Sequence, residues 1–215
     1  MIGFSPFITT IDFEATALSK DADVIEVGVA IFDRQETIRT WSSPVRPSPN
    51  CRWSEKAEQV HKIARSELEQ ALEPARVAFR LNQIMTGVTT AYCDAYQFDR
   101  IWMGNFFHDA NVEPAVSIAP IEEMPRMHLR LVQIHMRDYL DRTMVPHRAS
   151  EDALRLIQAY LYAIGKRACG SVHMTNPIIC CGSSPSMMER PSTMPFSTEI
   201  SERMNHETPL LSRDG

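Results

Sequence analysis

Apolar and β-branched residues run almost unbroken over Phe7–Phe13 and again over Val24–Phe32, VIEVGVAIF, which predicts two buried strands. A third strand is expected over Glu36–Ser43, with Asp33–Gln35 as the connecting turn. Strands joined this tightly form an antiparallel meander. Pro44, Pro47 and Pro49 then stop the pattern and define an extended loop. Beyond it the period changes. Ser54 is placed to cap a short helix over Glu55–Val60 and Ser66 another over Glu67–Leu72, while Pro74 opens a longer one ending near Gly87. Val88–Tyr92 and Ala115–Ala119 read as short strands. Phe98–Asp109, Met127–Asp141 and Ala149–Lys166 carry apolar residues at helical spacing. Strands first and mixed elements afterwards predict an α/β fold: a mixed sheet, antiparallel meander plus parallel strands, flanked by helices.

The periodicity stops near Arg167. Residues 168–215 are rich in Ser, Pro and Met and are expected to form a disordered tail behind a single domain of residues 1–167. The tail holds a Cys180-Cys181 pair and Pro209-Leu210-Leu211, a short apolar group that could dock on a partner. No run of about 18 uncharged apolar residues exists, so no membrane span is expected. The N-terminus lacks the pattern of a secretory signal, and five cysteines without a CxxC pair fit a reducing, cytoplasmic setting. The net charge of −5 argues against a protein that grips long nucleic acid through a basic face. It does not argue against one that holds a few nucleotides around bound cations.

The chemistry starts at Asp12-Phe13-Glu14. Alternation along a strand puts Asp12 and Glu14 on the same face, close enough to repel unless a cation lies between them. Hard carboxylate oxygens suit Mg²⁺ or Mn²⁺. A second acidic group, Cys93-Asp94-Ala95-Tyr96-Gln97-Phe98-Asp99, falls where a short strand meets a helix. Taken alone, Asp94 fits a cap and Asp99 a first-turn acid. A third, Pro146-His147-Arg148-Ala149-Ser150-Glu151-Asp152, puts a histidine on the loop before a helix and an acid inside its first turns.

In this order and context the three groups resemble the DnaQ-like 3′–5′ exonucleases of the DEDDh branch, within the ribonuclease H-like superfamily. The resemblance covers roughly residues 7–165. Val60-His61-Lys62-Ile63 also resembles the family's His-Gly-Ile segment, with Lys62 in place of the glycine. The middle motif departs from the His-Asn-x-x-Phe-Asp of many relatives: it is one residue longer and lacks the Asn.

The resemblance implies a ribonuclease H-like fold and two-metal hydrolysis of phosphodiesters, with release of nucleoside 5′-monophosphates. It makes Asp12, Glu14, Asp99 and Asp152 the ligands of two Mg²⁺ or Mn²⁺ ions and His147 the general base. Asp99 takes the middle position because it follows Phe98, with Asp94 as the alternative. Phe13, Ala15, Thr16, His61 and Tyr96 are expected near the terminal nucleotide, although core packing is the better reading of Phe13. The implied partner is the 3′ end of single-stranded DNA or RNA. A homodimer or a polymerase-type partner is compatible with the resemblance, but no residue demands either. The altered middle motif leaves one alternative, a nuclease fold reduced to a nucleic-acid-binding or interaction module.

Overall fold

In the computed structural model, residues 7–174 are described; most of the expected tail, including Cys180, Cys181 and Pro209–Leu211, lies outside them. The core is a six-stranded mixed sheet of β1 (Ile8–Ala15), β2 (Val24–Phe32), β3 (Thr37–Pro44), β4 (Thr90–Cys93), β5 (Ser117–Pro120) and β6 (Gly170–His173). Their order is β5-β4-β1-β2-β3-β6. The first three strands form the antiparallel meander, and β4, β5 and β6 add in parallel.

The alternation of β1 and β2 sorts their side chains between two helical layers. Ile11, Phe13, Val27, Val29 and Ile31 pack against α2 (Pro74–Ile84) and α3 (Tyr96–Asp109). On the opposite face Ala30 and Phe32 pack with α4 (Arg130–Arg142) and α5 (Ala149–Ala163). Because β2 is covered on both faces, its nine residues are all buried, which accounts for its near-continuous apolar run. Asp12 and Glu14 lie on the α5 side of β1, where Thr10 donates to the Ala153 carbonyl at 2.6 Å.

Several boundaries differ from the expectation. The first strand continues to Ala15, and α3 begins at Tyr96, which takes Asp99 into its first turn. Glu67–Leu72 is not an α-helix: a single 3-10 turn covers Arg65–Leu68, with Ala64 and not Ser66 at the cap position. The domain also extends past Arg167. Gly170–His173 pairs with Thr37–Thr40 of β3, so the first part of the expected disordered tail is a strand. All four of its residues are exposed, so backbone pairing at the sheet edge, with little burial, forms it.

Helix α1 (Glu55–His61) is capped by Ser54, whose hydroxyl accepts from the Ala57 N–H, and ends on Lys62. Lys62 has φ 59° and ψ 23°, the left-handed conformation in which a Cβ is strained. The family's glycine position is thus occupied by a residue that opposes its own backbone. Lys62→Gly is expected to raise stability by about 0.5–1 kcal/mol, the strain relieved less the extra entropy of an unfolded glycine. Chemical denaturation of the two proteins measures this, and a destabilised variant would contradict it.

Candidate active site

The carboxyl end of β1, the β4–α3 junction and the start of α5 bring five acids together. Oxygens of Asp12, Glu14 and Asp152 lie within 4.8 Å of one another, and so do those of Asp12, Asp94 and Asp99. Asp12 belongs to both groups. Asp99 is 1% exposed, and its oxygens have no oxygen or nitrogen donor, only the weak donor of the neighbouring Cys93 thiol. A buried carboxylate so poorly satisfied is costly, and a bound cation would offset that cost. Asp94 is exposed at the rim. With α3 starting at Tyr96, both Asp94 and Asp99 reach Asp12.

The charges oppose one another. Burial raises the Asp12 carboxyl well above its ordinary value, and Asp99, Glu14, Asp152 and Asp94 add to it. Glu14 is pushed up to about 8 by burial, then by Asp152 and Glu26. Asp99 is raised to about 7, again mainly by burial. Asp152 is raised by burial, against the Arg148 N–H that donates to its Oδ2 at 3.0 Å. Hard, crowded carboxylate oxygens fit divalent cations, which would relieve the repulsion.

This predicts a pH effect on stability. Each raised carboxyl holds its proton more tightly folded than unfolded, so the native state binds more protons across the interval between the two values. In the presence of chelator, stability should fall as pH rises from about 5 to 8. Added Mg²⁺ or Mn²⁺, bound by the deprotonated acids, should raise the melting temperature more at pH 8 than at pH 5. Thermal denaturation with and without EDTA tests it; a cation effect that does not grow with pH would contradict it.

The helix that carries Asp152 is seated on β2 by Glu26 and Gly28. The Glu26 carboxylate, 3% exposed, accepts from Arg148 Nε at 3.0 Å, from the second Arg148 nitrogen at 2.8 Å and from the Ala149 N–H at 3.0 Å. It satisfies an orphan donor of the first turn of α5 and places negative charge at the positive end of that helix. Gly28 allows the contact, because a Cβ there would lie 2.1 Å from the Ala149 carbonyl carbon and the Ser150 nitrogen. Sequence reading passed over both residues. The available signal was a lone carboxylate inside an otherwise apolar strand, since a buried charge requires a partner.

His147 sits on a short arch between two pins. On one side Arg155 donates to the Thr143 hydroxyl at 3.0 Å and to the Leu140 carbonyl at 2.7 Å. On the other, Arg148 is held by Glu26. Met144 to His147 are exposed between them, and His147 itself has φ 57°. Its charge reaches Asp152.

Of the residues expected near a terminal nucleotide, Ala15 and His61 line a cavity of about 450 Å³ that begins at Glu14 and continues past Leu18 and Trp102, with Arg52 and Lys56 on its walls. His61 is 2% exposed. Its Nδ1 accepts from the Ile63 N–H at 3.0 Å, which puts the neutral ring's proton on Nε2, and Nε2 has no partner. Burial lowers its pKa and favours that neutral form. Phe13 and Thr16 do not present side chains to the cleft: Phe13 packs in the core, and the buried Thr16 hydroxyl accepts from the Asp23 N–H at 3.1 Å. Tyr96 is partly buried against the same core. A second cavity of about 500 Å³, between Ile38, Tyr139 and Lys166, holds none of the acids.

The fold is an α/β domain of the ribonuclease H-like type, with five carboxylates gathered at the carboxyl end of β1. Residues 9–107, a little under half of the chain, match the RNase T family model, described as exonuclease. Among solved structures, E. coli exonuclease I in complex with a 5cy-dT13 oligonucleotide aligns with a TM-score of 0.58 at 13% identity, over 73% of this chain and 40% of that one. The zinc-bound form of its single-stranded DNA complex gives 0.55 at 13%, over 74% and 40%. A 3′-exonuclease described as recognising the 3′ end of the histone mRNA stem-loop gives 0.57 at 16%, over 76% of this chain and 83% of that one. These likenesses concern the fold, and the chain spans about 40% of the length of the exonuclease I chains. No curated protein matches the sequence. Among the described residues, no helix is long and apolar enough to cross a membrane.

Proposed function

We propose that the chain is a Mg²⁺- or Mn²⁺-dependent 3′–5′ exonuclease that hydrolyses single-stranded DNA or RNA from the 3′ end and releases nucleoside 5′-monophosphates. The observation that carries this reading is the convergence of acids from β1, β4–α3 and α5 on Asp12, with the buried Asp99 carboxylate given no oxygen or nitrogen donor. Asp12, Glu14, Asp99 and Asp152 would hold the cations. Divalent cations held there would lower the pKa of an attacking water and offset charge on the leaving oxygen.

The chain's own residues do the rest. His147, exposed on the loop before α5, accepts the proton of the attacking water at an imidazole nitrogen. The cavity beside Glu14 receives the terminal nucleoside, with apolar contact from Leu18 and Ala15 and a hydrogen bond from His61 Nε2. Arg52 and Lys56 give cationic contact to its phosphates. The position of Asp99 beside Asp12 favours an active enzyme over a binding module with a damaged middle motif.

The test is incubation of the full chain with 5′-labelled single-stranded DNA and RNA in Mn²⁺, Mg²⁺ or EDTA. A cation-dependent ladder shortening from the 3′ end is expected; stable binding without shortening, or cleavage that survives EDTA, would overturn the proposal. His147→Ala is expected to lower kcat by about 10²–10⁴-fold, the usual contribution of a general base, with little change in substrate affinity. Single-turnover rates and binding isotherms separate the two effects, and an unchanged rate would remove His147 from the reaction.

A further inference from the structure

We infer that Asp94 is a fifth carboxylate of the site and that, with Asp12 and Asp99, it holds the second divalent cation in the free protein, before any phosphate arrives. The inference rests on the metal-dependent reading above and adds a residue to it. Asp94 lies at the strand–helix turn, where an aspartate would ordinarily cap the helix. It does not: α3 has Ala95 at its cap position and no side-chain cap. Among the described residues Asp94 makes neither an ion pair nor a hydrogen bond. Its carboxylate instead lies within 4.8 Å of oxygens of Asp12 and Asp99.

Asp99 supplies the independent observation. It is 1% exposed, neither oxygen has an oxygen or nitrogen donor, the Cys93 thiol being its one polar neighbour, and its carboxylate lies within 4.8 Å of the exposed Asp94. Oxygen ligands of a small octahedral cation bound at 2.0–2.1 Å stand roughly 3–4 Å from one another. Oxygens within 4.8 Å of one another are near enough for the three carboxylates to close on one ion by side-chain movement alone. Two dications nearly balance five carboxylates. With Asp94 neutral, the second ion would keep only Asp12 and Asp99 and would depend on a substrate phosphate to complete its shell. Asp94 thus separates loading of the second ion from binding of nucleic acid.

Mn²⁺ binding to the full chain without nucleic acid tests this, by calorimetric titration and by electron paramagnetic resonance of the bound ion. The unsubstituted protein is expected to bind two ions, whose spins couple because they share Asp12. Asp94→Asn should retain one at unchanged affinity, weaken the other at least tenfold and lose the coupling. Asp152→Asn should weaken the ion held by Asp12 and Glu14 instead. Asp94 is exposed, and Asp94→Ser gives a second check should one replacement disturb the turn. Two ions of unaltered affinity in both Asp94 variants, or a single ion in the unsubstituted protein, would overturn the inference while leaving cation-dependent cleavage intact. Failure of the unsubstituted protein to bind any ion would overturn the metal-dependent reading itself.

Discussion

Asp12→Asn is expected to reduce nuclease activity at least about 10³-fold while making the chelated protein more stable. The two effects share one cause. Asp12 is the acid common to both carboxylate groups, so its charge helps hold whatever lies in either. Loss of one preorganised electrostatic group commonly costs 10²–10³ in rate, and this substitution weakens two positions at once. The same charge is a burden when no cation offsets it: burial and four neighbouring acids already push its carboxyl well upward. An amide of the same shape removes that repulsion and can donate hydrogen bonds to Asp99 or Glu14. In EDTA at pH 8 a rise in melting temperature of at least about 2 °C is expected, equivalent to 1 kcal/mol or less for a domain of this size. In Mg²⁺ the order should reverse, because the unsubstituted protein gains binding energy that the variant lacks. Melting curves in both buffers, with a 3′-end cleavage assay, check it. A variant less stable in EDTA would mean that Asp12 serves packing more than cation binding.

The acids were readable because strand alternation alone joins Asp12 to Glu14 and because His147 and Asp152 straddle a helix start. The choice between Asp94 and Asp99 was not readable. It depends on where α3 begins, and with the start at Tyr96 the oxygens of both acids lie within 4.8 Å of Asp12. Strand β6 escaped notice for a different reason. Gly170–His173 has no apolar alternation, every residue is exposed, and only the free edge of β3 creates it. The Thr16 hydroxyl serves the turn that returns the chain from β1 to β2, a pairing that no local pattern reveals. Glu26 and Gly28 were hidden inside VIEVGVAIF, where an apolar average conceals the two positions that are not apolar. The acids themselves lie in local motifs; what seats them comes from a strand more than 120 residues earlier than the helix it holds.

That seating gives the largest expected effect on folding, at a residue with no chemistry of its own. In Gly28→Ala the new Cβ would meet the Ala149 carbonyl carbon and the Ser150 nitrogen at 2.1 Å and the Ala149 oxygen at 2.4 Å. These are backbone atoms, so no rotamer change relieves the overlap, and α5 must lift off β2. Lifting it stretches the three hydrogen bonds to Glu26 and leaves a buried carboxylate without its partners, a loss that removal of one member of a buried charged pair sets at about 3–5 kcal/mol. Overpacking adds about 1–3 kcal/mol. Since a domain of this kind is stable by only about 5–15 kcal/mol, the variant should be at the edge of folding. Any folded fraction should have lost activity, because Asp152 and His147 move with α5. Gly104→Ala is the matched control. Gly104 lies in α3 with nothing within 4 Å of an added Cβ, and alanine there should stabilise the helix by about 0.5–1 kcal/mol. Denaturation of the two variants side by side separates contact from chemistry: a Gly28→Ala protein as stable as Gly104→Ala would mean that α5 does not rest on β2 through this glycine.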